Sequence, residues 1–203
     1  MANVSAPFGF SQYQGTGSSP TYEQVPVIID YNASAIYYGD PVTWQSDGSV
    51  ARSASTGATP ATLGIAGIFV GCKYLSVSQK KTVWSNYWPG SDVASGNTVE
   101  GYIINDPSAK FLAQSDSTGL ALADINATIG FVIGTGTAAN GLSGAYLDTT
   151  TINTSSYLQY NPFKVVGIYN APPGAQGTLS NSQAYDYAIV SFNNVTTRNF
   201  QGV

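Results

Sequence analysis

Through its most apolar stretch, Leu63 to Tyr74, this chain places glycine at positions 64, 67 and 71. A glycine every three or four residues is too frequent for a stable soluble helix, since each costs about 1 kcal/mol against alanine. In a sheet the same residues mark bends or close approach of another backbone. The segment therefore predicts a strand. A similar string recurs at Ile129-Gly130-Phe131-Val132-Ile133-Gly134, and more loosely at Val166-Gly167-Ile168-Tyr169. All three read as central strands of one sheet or barrel, and the likeness is too short to define a repeat architecture.

Turn chemistry supports the same class. Val25 to Tyr31 is a short apolar run broken by Pro26, which suits an edge strand or a strand start. Asp47-Gly48 lies between Ala35–Trp44 and Ser49–Arg52 and predicts a hairpin; Asn140-Gly141 gives a second such signal. Residues 53–61 read as a loop. Lys81–Trp84, Thr98–Ile104 and Lys110–Gln114 are strand-like, and only Leu120–Ile125 suits a helix, for a turn or two. Tyr185 to Phe192 alternates, placing Tyr185, Tyr187, Ile189 and Ser191 on one face. Short strands with turns between them predict a single all-β domain over 25–203, a β-sandwich or a jelly-roll-like β-barrel. Residues 1–24 read as an extended arm: Phe8, Phe10 and Tyr13 stand among flexible residues, and Gly15–Pro20 is linker-like.

The composition limits the chemistry. There is no histidine, one cysteine (Cys72), and only 9 % charged residues. Histidine supplies the base of most nucleophilic triads and many zinc shells, so both become poor expectations. A net charge of −4 with scattered Lys and Arg leaves no basic stripe for nucleic acid. No run approaches the ~20 apolar residues of a membrane helix, and Met1–Phe10 has neither the positive nor the apolar region of a signal peptide. Synthesis in a cytoplasm is the expectation. Serine, threonine, asparagine, glutamine and tyrosine take the place of surface charge. They lose little when covered by a hydrogen-bonding partner, whereas buried charges cost several kcal/mol each. Such an outside suits a protein packed into an assembly.

Individual sites add little catalytic signal. Cys72 is expected to be a buried, inert thiol, because Lys73 should point to the opposite face of the strand and no histidine is available as base. Asp116-Ser117-Thr118-Gly119 and Asp124-Ile125-Asn126 carry oxygen ligands of the calcium type without a calcium-loop spacing, and read as turns. Glu100 and Asp106 are conceivable as a glycosidase pair, but nothing in their spacing selects them. The expectation is no enzyme, no metal and no cofactor. The aromatic run Trp84-Ser85-Asn86-Tyr87-Trp88-Pro89-Gly90 reads as a sugar-stacking platform, an interface anchor or a core plug.

Three segments taken together resemble virion structural proteins of tailed bacteriophages. They are the glycine-rich strand Leu63–Tyr74, the loop Trp84–Gly90, and Val99–Gln114, where Asp106-Pro107 is followed by Phe111. The resemblance implies capsid decoration or cementing: a non-enzymatic, oligomeric protein on the capsid exterior. Its partners would be the major capsid protein and itself, most often as a homotrimer on a three-fold site. No catalytic or ligand residues come with the resemblance. Exposed-aromatic logic selects Phe8, Phe10 and Tyr13 in the arm and Tyr87, Trp88 and Pro89 in the loop as interface candidates. The competing expectations are a tail or fibre component, and a carbohydrate-binding module that stacks sugars on Trp84, Tyr87 and Trp88.

Overall fold

The computed structural model describes residues 3–14, 24–54, 64–152, 161–169 and 182–195. Twelve strands are found among them: β1 (Ser11–Gln14), β2 (Val25–Ile29), β3 (Pro41–Trp44), β4 (Val50–Arg52), β5 (Gly67–Ser76), β6 (Lys81–Ser85), β7 (Val99–Ile104), β8 (Lys110–Gln114), β9 (Thr128–Val132), β10 (Tyr146–Asp148), β11 (Phe163–Tyr169) and β12 (Tyr187–Phe192). Short 3-10 turns at Leu122–Asp124 and Thr149–Thr151 are the helical elements among the described residues. The protein is all-β, and two antiparallel sheets pack as a β-sandwich. One sheet runs β1-β8-β12-β11-β9-β10. The other runs β2-β7-β5-β3-β4, with β6 also on β5. The expected linker at Gly15–Pro20 and most of the expected loop at 53–61 lie outside the described residues.

The turn signals act where expected. Asp47 Oδ1 accepts hydrogen bonds from Ser49 N and Oγ, and Gln45 N donates to Ser49 O, closing the β3–β4 hairpin. Pro26 sits in β2, an edge strand, opposite Tyr102. In β12 Ala188, Val190 and Phe192 are buried while Tyr187, Ile189 and Ser191 are half-exposed, as the alternation requires. The glycine-rich strings do not share one sheet: β5 is central in the second, whereas β9 and β11 belong to the first. Asn140-Gly141 turns the chain between Thr137 and Leu142 rather than joining two of the named strands.

Each sheet carries its own apolar cluster. Phe10, Phe111, Ile129, Phe131, Phe163, Val190 and Phe192 centre the first; Ile29, Ile36, Phe69, Trp88, Val99 and Ile103 centre the second. Strands β5 and β7 join them, because Ile68 and Ile104 pack into the first cluster while their neighbours Phe69 and Ile103 pack into the second. A buried polar joint reinforces the connection. Asp40 is fully buried; it accepts from Ser143 Oγ at 2.5 Å and Tyr37 N at 2.8 Å, and pairs with Arg52 Nε at 2.8 Å. Arg52 also donates to the Gly134 carbonyl, so β4 is tied to the loop after β9. Burial pushes the Asp40 carboxyl upward, against the lowering influence of these partners. Removing one member of such a pair strands the other, which costs about 3–5 kcal/mol.

The N-terminal arm requires a correction. Its described part, residues 3–14, is integral to the first sheet. β1 pairs with β8, and Phe10 is 1 % exposed with its ring stacked on Phe163 at 4.3 Å. Buried Gln114 clasps the preceding residues: Ala6 N donates to its Oε1, and its Nε2 donates to Val4 O. Gly9 (φ 79°) comes so close to Ser143 and Gly39 that a Cβ there would lie 2.6 Å from the Ser143 Cβ. A segment without helical or strand periodicity is thus fixed by long-range partners.

Candidate interaction face

Strand register decides which side chains reach the surface of the second sheet. Ile28 pairs with Glu100, Glu100 with Lys73, and Lys73 with Trp84, so these four form one row across β2, β7, β5 and β6. Leu75 and Thr82 pair one level along, next to Thr98. Along β7, Ile104, Tyr102, Glu100 and Thr98 share a face by strand alternation. Ile104 is buried in the first cluster, Tyr102 is half-buried, and Thr98 is exposed. The sheet surface that packs on the first sheet therefore continues past it and becomes bare.

The bare half is apolar at its margins. Ile28 is 52 % exposed, Leu75 57 % and Trp84 68 %. A groove of about 420 Å³ lies between Ile28 and Leu75, lined also by Pro26, Lys73, Thr82 and Glu100 among others. At the centre, Lys73 Nζ lies 2.6 Å from Glu100 Oε2, and Tyr102 Oη donates to Glu100 Oε1 at 2.6 Å. These hydrogen bonds hold the Lys73 ammonium above its ordinary pKa and the Glu100 carboxyl below its own. The Trp84 ring stacks nearly parallel to Tyr102 at 5.8 Å, and the Lys73 ammonium lies 5.1 Å from its centroid. Lys73, Glu100 and Tyr102 are thus partnered with one another, and the Trp84 ring is held in place. Such a surface meets a partner with little side-chain ordering left to do.

The aromatic run at 84–90 divides. Trp88 is fully buried: its Nε1 donates to Ala33 O at 3.0 Å and its ring meets Tyr74 edge-on. Tyr87 is half-buried with its ring stacked parallel on Tyr37 at 5.6 Å, and Pro89 is half-buried beside it. Two expected interface residues, Phe10 and Trp88, are therefore core residues, because long-range packing rather than local composition claims their rings. A platform of Trp84, Tyr87 and Trp88 does not form. In the arm, Phe8 stacks on Tyr187 at 6.0 Å, and Tyr13, 41 % exposed, meets Tyr169 edge-on at 5.7 Å. Ile28, Leu75 and Tyr102 join this face with no local signal in the sequence that marks them as a site, and Trp84 reaches it from the strand-like segment Lys81–Trp84.

The polar candidates resolve as structural groups. Cys72 is 1 % exposed and burial pushes its thiol up to about 12. Asp116 accepts from Thr118 N, Gly119 N and both Thr149 N and Oγ1, which makes it a turn anchor. Asp124 accepts from Ala121 N at the short 3-10 turn. Glu100 is committed to Lys73 and Tyr102. Among the described residues, no three of His, Cys, Asp and Glu gather as a cation-holding group. No protein-family model, curated protein or solved structure matches this chain.

Proposed function

We propose that this chain is a non-enzymatic virion structural protein that binds and stabilises a tailed-phage capsid lattice from outside, as a head decoration protein. The observation that carries the reading is the bare half of the second sheet. Exposed Ile28, Leu75 and Trp84 on a surface whose other half is already covered by protein are what an assembly partner buries. The resemblance of Leu63–Tyr74, Trp84–Gly90 and Val99–Gln114 to virion proteins supplies the kind of particle. The shortage of charge supports it further, since covering this surface desolvates few ions. A second contact zone lies on the first sheet, where Phe8, Tyr13, Tyr169 and Tyr187 give a tyrosine-rich surface of the type found at wet interface rims.

The test is co-sedimentation of the purified protein with undecorated shells of the phage that encodes it. Saturable attachment at a fixed ratio to the major capsid protein is the expected result. No attachment, with protein in large excess over lattice sites, removes the reading. Binding of a soluble glycan by the isolated protein, lost on Trp84→Ala, would replace it with a carbohydrate-binding function.

A further inference from the structure

We infer that the bare half of the second sheet is covered by a second copy of this chain, packed face to face about a two-fold axis lying between β7 and β5 and parallel to them. The inference rests on the proposed assembly role; it gives this surface to self-association and leaves the first-sheet zone of Phe8, Tyr13, Tyr169 and Tyr187 to the shell. It follows from the order of residues in the central row: Ile28, Glu100, Lys73, Trp84. Rotation by 180° about an axis along the strands reverses that order on the opposing copy. Ile28 then lies over the partner's Trp84, and Glu100 over the partner's Lys73. Both relations repeat at their symmetry mates, as an isologous interface demands.

The charges make this choice specific. The only ions in the row are one ammonium and one carboxylate, already paired at 2.6 Å. A strongly charged partner would leave one of them facing its own sign. A second copy instead completes a ring of two ammonium and two carboxylate groups, in which each charge gains a second opposite neighbour. Apolar side chains flank this ring at both ends of the row, Ile28 at 52 % and Trp84 at 68 % exposure. One level along, the same axis brings Leu75 over Thr98 of the other copy, and neither of these side chains is charged. Four strands about 4.8 Å apart and some five residues at about 3.3 Å give a face roughly 19 by 17 Å. That is smaller than a standard interface, so the association should be weak and transient.

The experiment is sedimentation velocity on the full chain from about 1 to 500 µM, with circular dichroism to confirm that each variant is folded. Wild type should move from monomer to dimer with concentration. Lys73→Glu sets carboxylates against carboxylates across the axis and should weaken the dimer by about tenfold or more. The double variant Lys73→Glu/Glu100→Lys keeps both the internal pair and the reversed order, and should regain the dimer to within about threefold of wild type. A wild type that stays monomeric throughout, an oligomer indifferent to Lys73→Glu, or a double variant that stays monomeric overturns the inference. Shell co-sedimentation separates this from the function: a monomer that still decorates shells removes the dimer alone, and a dimer that ignores shells removes the decoration role alone.

Discussion

Replacing Phe10 by alanine measures whether the N-terminal segment is part of the fold. The ring is 1 % exposed, stacked on Phe163 at 4.3 Å with 14° between planes, and set edge-on to Phe131 at 6.0 Å. Phe→Ala in a packed core costs about 3–5 kcal/mol, and the two ring contacts argue for the upper half of that range. At this chain length each kcal/mol lowers the melting temperature by about 2–4 °C, so a drop of about 8–20 °C is expected. Urea unfolding should show a lower midpoint with an unchanged slope, because the surface exposed on unfolding hardly differs. Val4→Ser is the control: Val4 is 74 % exposed, and such a surface change stays within about 0.5 kcal/mol. A loss below about 1 kcal/mol for Phe10→Ala would refute the docked segment, since no buried phenylalanine in a packed cluster is that cheap to remove. For the same reason, deleting the first fourteen residues would unfold as well as detach, and says little about attachment to a partner.

Gln114→Leu leaves Ala6 N, Val4 O and Tyr185 O without the buried amide that serves them. A loss of about 1–3 kcal/mol is expected, with faster hydrogen exchange at Ala6 and unchanged exchange along β5. Asp186 gives a pH test. It is 1 % exposed, accepts from Ser115 Oγ at 2.6 Å, and burial raises its carboxyl from 3.8 to about 6. A carboxyl raised on folding binds its proton more tightly in the native state, so its contribution is favourable at low pH and is lost as pH rises from about 4 through 6. The span corresponds to about 3 kcal/mol. Asp186→Asn should remove that slope, so the variant gains on wild type between pH 4 and 7 in parallel urea titrations. A stability difference that stays flat with pH would contradict the burial of this carboxyl.

What the sequence could disclose here was local, and the surface proposed for assembly is not. Asp47-Gly48 needs only its own side chain and the adjacent Ser49 to make a hairpin, and the alternation from Tyr187 to Phe192 needs only a period of two. Phe10 and Trp88 are core residues although nothing near them in the chain announces burial. Their partners are Phe163 and Phe131 for the one, Tyr74 and the Ala33 carbonyl for the other. Trp84 and Trp88 stand four residues apart with the same composition around them. One continues the outward side of β6 and the other leaves the strand to fill the core. The row Ile28–Glu100–Lys73–Trp84 is further from view, since it joins positions 28, 73, 84 and 100 through three strand pairings. A slip of one residue in any pairing would turn its members to the other face. Register in this sheet is pinned by the opposite side, where Val27, Ile29, Phe69, Tyr74, Val99 and Ile103 must all reach one apolar cluster. The core that buries those six therefore also sets, strand by strand, which four side chains are presented in order on the bare face.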